Sequence, residues 1–365
     1  MKKIVVVGYG NMGAKYSKLI YNNEINNLSL YGILARNKEK QKIIKELMPN
    51  IKIYNDDIEL FNDYKNYDGI IITTPHKNHI EFIKKAQELK LNILCEKPLG
   101  VTSYECKDVL KENNEVNGLI LNWRKREAYI KLKEILNNNV MGKIHNILWE
   151  IFWYRPLSYH KSASWRSTFE GEGGGLLINQ SQHPLAMYIY LFGMPKKVFS
   201  NIKYGKYNDI EVDDEVTSLF EHDNDITSTF ISSTGDSPGT NKLSINFDFG
   251  KIELIDDKKL IIYKNKESIE YVSKNEKNPF YKIPYDIEEI NIIKKNDEYI
   301  EVLNNFSNAL ENKEKIDSTF KDGYNTIMLT NAIYLSDFKK RWIDIPINDI
   351  EFYNELENIK KYGIK

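Results

Sequence analysis

The sequence predicts an α/β protein whose N-terminal part is built on a doubly wound parallel sheet. Residues 4–7 form a short β-branched run, typical of a strand buried on both faces of such a sheet. A glycine-rich turn and a helical stretch follow it directly, and further apolar runs at 68–74 and 92–94 also end in turns. Since 365 residues exceed one ordinary core, we expect two domains, residues 1–122 and 123–365.

The composition indicates which classes of partner and which cellular compartment to expect for the protein. The net charge is −1 and the lysines are dispersed, which argues against nucleic acid as the main partner. Cys95 and Cys106 lack metal-ligand spacing and are typical of reduced, intracellular cysteines. The N-terminal apolar run is too short for a signal peptide, and no stretch approaches the roughly 20 apolar residues of a membrane span. We expect a soluble cytoplasmic protein without membrane partners.

The turn after the first strand has the form G-x-G-x-x-G. It comprises Gly8, Tyr9, Gly10, Asn11, Met12 and Gly13. Gly8 permits the tight turn, Gly10 lets backbone N–H groups approach a pyrophosphate, and Gly13 lets the helix pack close to the strand. The helix N-terminus attracts the phosphate charge. This placement favours dinucleotide binding over a glycine-rich turn without a ligand.

The second predicted strand, residues 28–34, ends at Ala35-Arg36-Asn37. NAD-binding units usually carry an acid there, which holds the ribose 2′-hydroxyl, and this chain has none. Arg36 can instead meet a 2′-phosphate or stack on adenine, which tilts the expected cofactor from NAD(H) towards NADP(H). A solvated loop arginine is the alternative and has equal weight.

Four residues follow the ends of predicted parallel strands: Thr73, Thr74, Pro75 and Lys97. Ligands of doubly wound sheets bind at this carboxyl edge. Lys97 stands between Glu96 and a rigid proline, so we interpret it as a catalytic residue that faces nicotinamide and substrate. The alternative is an ion pair with a neighbouring acid.

These segments together resemble the Gfo/Idh/MocA family of oxidoreductases. The resemblance rests on residues 8–13, on Thr73-Thr74-Pro75-His76-Lys77-Asn78-His79, and on Glu96-Lys97-Pro98, in family order and spacing. It implies a Rossmann domain followed by an α/β domain on a large, open, mostly antiparallel sheet. It also implies that Lys97 hydrogen-bonds the reacting hydroxyl, and it adds His79 and Glu96 to the cofactor-binding residues.

A second glycine-rich segment, residues 170–175, precedes a run that ends in Asn179-Gln180-Ser181-Gln182-His183. We expect the glycines to open a helix on which Asn179 and His183, four residues apart, share one face. This arrangement favours a substrate pocket over a structural core histidine. We expect Pro184 to kink or loosen that helix.

This chain departs from the family pattern at the residues that bear on the identity of the general base. The family pattern has acidic residues where this chain has Asn179 and Ala186. An amide cannot accept the proton of a hydroxyl, so we interpret His183 as the base and Lys97 as its electrostatic partner.

Aromatic and arginine side chains are concentrated at 153–166, after a predicted strand. Trp153, Tyr154, Tyr159 and Trp165 can stack on a sugar, whereas Arg155 and Arg166 can bind hydroxyls or an anionic group. Packing beneath a loop is the alternative for some of the aromatic residues. Trp123 and Arg124, at the entry to the second domain, complete the predicted substrate site. The acidic run at 211–215 is interpreted as solvated charge at a sheet edge, and no metal is assigned.

We therefore predict hydride transfer between NAD(H) or NADP(H) and a secondary hydroxyl of a sugar, sugar derivative or cyclitol, with C3 of a pyranoside as one candidate position. Two alternatives stay open: a glycosidase that oxidises C3 transiently with bound NAD⁺, and a non-enzymatic regulator that binds a dinucleotide. The open sheet predicts a homodimer or homotetramer.

Overall fold

The computed structural model describes residues 1–111 and 114–364. The chain divides into two compact units: the first contains residues 1–122 and 296–327, and the second contains residues 123–295 and the chain from 328 onwards. Within the described ranges, none of the helices combines the length and apolarity that crossing a bilayer requires.

The first unit contains a six-stranded parallel sheet. Its strands are β1 (Lys2–Val7), β2 (Leu28–Leu34), β3 (Lys52–Tyr54), β4 (Gly69–Ile72), β5 (Asn92–Glu96) and β6 (Asn117–Ile120). They lie in the order β3-β2-β1-β4-β5-β6, so the order reverses between β1 and β4. Ligands of such sheets bind beyond the carboxyl ends of the strands at this reversal. The predicted doubly wound parallel sheet is confirmed.

Helices alternate with these strands. They are α1 (Asn11–Tyr21), α2 (Lys38–Leu47), α3 (Asp57–Asn62), α4 (His79–Glu88) and α5 (Ser103–Cys106). Side chains cap the starts of several of them: Asn37 accepts from the backbone N–H of Lys40, and Asp56 accepts from that of Glu59. Such caps satisfy N–H groups that have no partner within the helix.

The second unit contains a nine-stranded sheet. Its strands are β7 (Ile144–Tyr154), β8 (Lys197–Tyr204), β9 (Asp213–Glu221), β10 (Thr227–Ser233), β11 (Gly235–Phe247), β12 (Gly250–Ile255), β13 (Lys259–Asn265), β14 (Tyr285–Asn291) and β15 (Ile343–Asp344). The order is β14-β13-β12-β11-β7-β10-β9-β8-β15, and among the described strands of this second sheet only β7 and β10 pair in parallel. The expected mostly antiparallel sheet is confirmed.

The remaining helices are α6 (Glu127–Asn137), α7 (Leu157–His160), α8 (Gln182–Phe192), α9 (Ile269–Asn275), α10 (Glu298–Leu310), α11 (Phe320–Lys339) and α12 (Asp349–Tyr362). Along β7, Ile147, Trp149 and Ile151 are buried at alternate positions, as expected for a strand with one face in the core. The fully buried Tyr129 of α6 lies with its ring centroid 6.1 Å from that of Trp149.

The division of the chain differs from the expected 1–122 and 123–365, because residues 296–327 return to the first unit. Leu303 and Phe306 of α10 are fully buried in the same apolar core as Ile4 and Val6 of β1. No local pattern in the sequence indicates which core a late helix joins, since its apolar face suits either one.

Candidate active site

The glycine turn between β1 and α1 requires glycine at two positions. Gly8 has a φ of +98°, a left-handed conformation that favours glycine. A Cβ atom on Gly13 would lie 2.6 Å from Thr73 Oγ1 and still closer to the carbonyl oxygen of Gly8. At Gly10, by contrast, a Cβ atom would meet nothing within 4 Å. The turn is therefore closed on the sheet side and open beside Gly10.

The residue types around this turn suit a pyrophosphate. Gly10 is the N-cap of α1 and offers no capping side chain, and the first turn of α1 contains no acidic residue. Its N–H groups and the positive end of the helix dipole thus suit an anion at the open side of Gly10. Asn11 is exposed, whereas Tyr9 and Met12 are half-buried and pack against the apolar core of the unit.

Arg36 lies just after β2 and is mostly exposed. Its Nη2 atom lies 3.3 Å from Asp57 Oδ1, and the ammonium of Lys85 lies 2.7 Å from the other oxygen of that carboxylate. The hydrogen bond from Lys85 holds the pKa of Asp57 below its usual value. An exposed ion pair of this kind adds little stability, so Arg36 can turn towards a phosphate at small cost.

The carboxyl end of β4 is linked to the glycine turn. The hydroxyl of Thr73 lies 3.0 Å from the carbonyl oxygens of Val7 and of Gly8. Thr73, Thr74 and Pro75 are all half-buried. Thr73, one of the strand-end residues predicted from the sequence, is thus in direct contact with the glycine turn.

His79 is fully buried at the start of α4. Its Nδ1 atom lies 2.7 Å from the carbonyl oxygen of Pro98, and its Nε2 atom lies 2.9 Å from that of Thr74. Burial lowers the pKa of the imidazole, so the neutral ring donates to one of these two carbonyls at a time. His79 thereby connects the residues that follow β4 with those that follow β5.

Glu96, the last residue of β5, and Lys97, which follows it, lie in different environments. The buried carboxylate of Glu96 accepts a hydrogen bond from the hydroxyl of Tyr16 on α1 and another, 3.1 Å long, from the backbone N–H of Lys97. Burial raises the pKa of Glu96, and the bond from Tyr16 and the charge of Lys97 offset part of the rise. Lys97 itself is half-buried. Its backbone is thus fixed from both sides, by Glu96 and by the contact between His79 and Pro98.

In the second unit, three rings stack in a row. The ring of Trp123 lies 5.8 Å from that of His183 at an interplanar angle of 10°, and 5.6 Å from that of Tyr129 at 12°. The guanidinium of Arg126 lies 4.2 Å from the centroid of Trp123 and pairs with Asp257 at 2.7 Å. This stack fixes the plane of the His183 imidazole. The sequence did not indicate the contact between Trp123 and His183.

Arg124, the other predicted substrate residue at this entry, lies with its guanidinium 4.6 Å from the ring centroid of Tyr190.

The prediction of one helix that contains both Asn179 and His183 is wrong, because the helix starts later in the chain. The helix α8 begins at Gln182, so Asn179 precedes it in a series of turns, and the two residues do not share a helical face. Pro184 is the third residue of α8, where no intrahelical N–H is needed, so it does not kink the helix.

A group of polar side chains, here called the Tyr159 cluster, lies beside these turns. It consists of Tyr159, Arg166, Glu172, Asn179 and Gln180. The carboxylate of Glu172 is almost fully buried, accepts from the backbone N–H of Ser167 at 2.6 Å and accepts from Asn179 Nδ2. It also lies 3.6 Å from Arg166 Nη1.

Glu172 was not among the site residues that the sequence predicts. The only signal was its place in the run Glu170-Gly171-Glu172-Gly173, seven residues before the amide that replaces the family's acid.

The other predicted residues of 153–166 differ in exposure. Tyr154 is exposed, whereas Arg155 and Trp165 are half-buried. The guanidinium of Arg155 lies 5.2 Å from the ring centroid of Tyr159, and that of Arg166 lies 4.5 Å from it. The ring of Tyr159 thus already has two cations over it, where the sequence suggested stacking on a ligand.

The acidic run at 211–215 is not solvated edge charge. Asp213 and Asp214 are buried, and β9 lies between β8 and β10. Asp213 accepts hydrogen bonds from the backbone N–H groups of Gly175 and Leu177, at 2.6 and 2.7 Å, and from the hydroxyl of Tyr334. Buried carboxylates require such donors, and here they come from segments distant in sequence.

Two family models match the chain. One, described as an oxidoreductase family with an NAD-binding Rossmann fold, matches residues 2–121, and the other, the GFO/IDH/MocA C-terminal domain, matches residues 129–253.

Similar proteins include the scyllo-inositol 2-dehydrogenase (NADP⁺) of Bacillus subtilis, 25% identical over 58% of this chain and 57% of that protein. The myo-inositol 2-dehydrogenase of Thermotoga maritima is 22% identical over 73% of this chain and 72% of that protein. A solved structure of levoglucosan dehydrogenase with NADH and levoglucosan has a TM-score of 0.80 at 20% identity, over 94% of this chain and 99% of that one. That structural likeness extends over both units.

Proposed function

Because this chain belongs to the Gfo/Idh/MocA family of oxidoreductases, we propose that it transfers hydride between a nicotinamide dinucleotide and a secondary hydroxyl of a sugar or cyclitol. The observation that carries the proposal is the placement of Lys97. It follows β5 at the carboxyl edge of the sheet, and Glu96 and His79 fix the backbone around it. A surface lysine would not need two buried side chains to hold its backbone.

The dinucleotide is bound by the first unit. The N–H groups of the turn at 8–13 hold its pyrophosphate, Thr73, Thr74 and Pro75 lie along it, and Lys97 holds the nicotinamide ribose. Arg36 contacts a 2′-phosphate, which favours NADP(H). When bound, the nicotinamide ring supplies the hydride acceptor or donor.

The protein supplies the proton transfer. Lys97 donates a hydrogen bond to the reacting hydroxyl and stabilises the negative charge that develops on its oxygen. His183 accepts the proton, and the stacked ring of Trp123 keeps the imidazole plane in place. Asn179 cannot act as a base, so it binds substrate through its amide. Arg124, Tyr154, Arg155, Trp165 and Arg166 complete the substrate site.

The test is a turnover assay on scyllo-inositol, myo-inositol and levoglucosan, each with NAD⁺ and with NADP⁺, monitored by the absorbance of the reduced dinucleotide. Mass spectrometry of the purified protein after denaturation identifies any dinucleotide that it retains. We expect reduced dinucleotide with at least one of these substrates, and its formation should be at least about 100-fold slower with Lys97→Ala. Cleavage of aryl glycosides without net reduction would favour the NAD-dependent glycosidase, and dinucleotide binding without turnover would favour the regulator.

We also infer that the chain forms a homodimer or homotetramer. β14 lies at the end of the second sheet, and its Tyr285 and Ile287 are exposed. An edge strand with exposed apolar side chains favours association. Light scattering at micromolar concentration checks this inference, and a mass equal to one chain would contradict it.

A further inference from the structure

We propose that Tyr16 is a positioning residue for the reaction, because its hydroxyl holds the negative charge of Glu96 beside Lys97. Tyr16 lies on α1, the helix that begins at the glycine turn, and Glu96 is the last residue of β5. The hydroxyl of Tyr16 donates to one oxygen of the carboxylate, and the backbone N–H of Lys97 donates to the other at 3.1 Å. All three residues belong to the first unit.

The hydrogen bond between Tyr16 and Glu96 is buried. Tyr16 is 1% exposed and Glu96 is 9% exposed. A buried carboxylate loses the water that stabilises its charge, so it ionises only where protein donors take the place of water. Burial raises the pKa of Glu96, and the bond from Tyr16 and then the charge of Lys97 oppose that rise. Without the hydroxyl, the pKa of Glu96 would be higher and a smaller fraction of Glu96 would be ionised.

Tyr16 is held in place as the donor of this bond. Burial and then the charge of Glu96 raise the pKa of the phenol well above its ordinary value, so the hydroxyl keeps its hydrogen. The ring of Tyr299 on α10 lies with its centroid 6.1 Å from that of Tyr16, at an interplanar angle of 52°. Because the ring is packed in this way, the hydroxyl meets Glu96 without a search through other rotamers.

Other titratable groups surround the pair. They are Cys95 in β5, His79 on α4, Lys15 on α1, and Asp297 and Tyr299 at the start of α10. Burial raises the pKa of the Cys95 thiol and lowers that of the His79 imidazole, so both are neutral at neutral pH. Lys15 pairs with Asp297 at 3.3 Å, which cancels most of the field of these two charges. The charge of Lys97 is the one that favours the ionised form of Glu96.

The ionised carboxylate acts on Lys97 in turn. In the proposed reaction Lys97 donates a hydrogen bond to the reacting hydroxyl and stabilises the charge on its oxygen, which an ammonium does better than an amine. A negative charge on the preceding residue stabilises that ammonium. Tyr16 therefore acts through Glu96 rather than through contact with the substrate. This inference rests on the proposed function, since it assigns Tyr16 a role in that reaction.

The test compares Tyr16→Phe with Tyr54→Phe. Tyr54 is the matched control, because it is fully buried, its hydroxyl donates to the carboxylate of Asp63 at 2.6 Å, and its strand β3 is separated from β5 by three strands. We expect Tyr16→Phe to lower kcat by about 10-fold at neutral pH, the loss of one hydrogen bond to a charged group, while KM for the dinucleotide changes by less than about 2-fold. The acid limb of the kcat–pH profile should move to higher pH, because Glu96 loses its proton less readily. Tyr54→Phe should leave kcat and the profile unchanged.

A double-mutant cycle measures whether Tyr16 acts through Glu96. In the Glu96→Gln protein the charge that Tyr16 holds is gone, so adding Tyr16→Phe should lower kcat by less than about 3-fold. The full loss of about 10-fold in that background would show that Tyr16 acts by another route, and it would overturn the inference.

Urea unfolding supplies a measurement that needs no turnover. The hydroxyl of Tyr16 stabilises ionised Glu96 more than neutral Glu96. The difference in free energy of unfolding between wild type and Tyr16→Phe should therefore grow as the pH rises above about 4.3, the ordinary pKa of a glutamate. Burial raises the pKa of Asp63, but hydrogen bonds from Lys52 and Tyr54 outweigh it and hold that pKa below its usual value. The corresponding difference for Tyr54→Phe should thus stay constant over the same range.

The outcomes separate this inference from the proposed function. If wild type is active and Tyr16→Phe has an unchanged kcat and acid limb, the inference is overturned and the proposed function stands. A stability difference for Tyr16→Phe that does not vary with pH also overturns the inference, because Tyr16 then does not hold the charge of Glu96. A wild-type protein that forms no reduced dinucleotide with the three test substrates overturns the proposed function, and the role of Tyr16 in that reaction with it.

Discussion

Replacing Gly13 by alanine tests the interpretation of the glycine turn. The new Cβ atom would lie 2.6 Å from Thr73 Oγ1, about 0.8 Å inside the 3.4 Å at which ordinary contact begins, and closer still to the carbonyl oxygen of Gly8. Since that carbonyl belongs to the backbone at the end of β1, no side-chain rotation relieves the overlap. Overpacking of this kind costs about 1–3 kcal/mol in the free energy of unfolding.

The first unit has the size at which 1 kcal/mol corresponds to about 2–4 °C in the unfolding midpoint. Gly13→Ala should therefore lower the midpoint by about 2–12 °C in the absence of ligand. It should also weaken dinucleotide binding, because the overlap displaces the turn. Thermal unfolding and a fluorescence titration with NADH and NADPH measure the two effects separately.

Gly10→Ala is the matched variant. Gly10 has a φ of −82°, which alanine adopts readily, and its Cβ atom meets nothing within 4 Å. Its free energy of unfolding should change by less than about 0.5 kcal/mol. The methyl group would nevertheless occupy the open side of the turn, so dinucleotide affinity should fall by about 10-fold or more. A Gly10→Ala protein with wild-type affinity, or a Gly13→Ala protein with wild-type stability, would refute the reasoning.

Three further perturbations test individual side chains. Lys97→Ala should reduce kcat by about 10²–10⁴-fold, as expected for a group that assists proton transfer. Lys18→Ala, on the exposed face of α1, should leave kcat unchanged. Steady-state kinetics measure both variants, and an equal loss of kcat in the two would show that Lys97 has no part in the mechanism. Arg36→Ala should weaken NADPH binding by about 5- to 50-fold more than NADH binding. An unchanged ratio of the two affinities would show that Arg36 is a solvated residue that contacts no 2′-phosphate. Burial raises the pKa of Asp213, so its stabilising contribution is complete below its unfolded-state pKa of about 3.9 and declines as the pH rises through the folded value. Asp213→Asn should thus make the free energy of unfolding in urea less dependent on pH above 4, and an unchanged slope would contradict the shift.

The sequence predicted the first sheet correctly because its signals are local. A β-branched run, a glycine turn and a helix follow one another within residues 4–21, and this order along the chain restricts a parallel sheet to a few arrangements. The position of Lys97 follows in the same way, since a residue directly after a strand must lie at the carboxyl edge.

One tertiary contact joins the two segments of the second unit in which the predictions were wrong. The backbone N–H groups of Gly175 and Leu177 donate to the carboxylate of Asp213, and that of Leu176 donates to its carbonyl oxygen. The segment that carries these amides lies in turns and bends before α8, which starts at Gln182. The same contacts bury Asp213, which by sequence looked like a solvated acid. Neither partner signals the other, because 36 residues separate Asp213 from Leu177.

The sequence by itself determined that the glycine turn and α1 follow β1, that β2, β4 and β5 are strands, and that Lys97 lies beyond β5. Each depends on neighbours in the chain, whose geometry the covalent backbone limits. Only the tertiary structure decided that α10 joins the first core, that Trp123 stacks on His183, and that Glu172 and Asn179 meet beside Tyr159. These contacts join distant segments, and their partners are chosen by packing and by the need to satisfy buried polar groups.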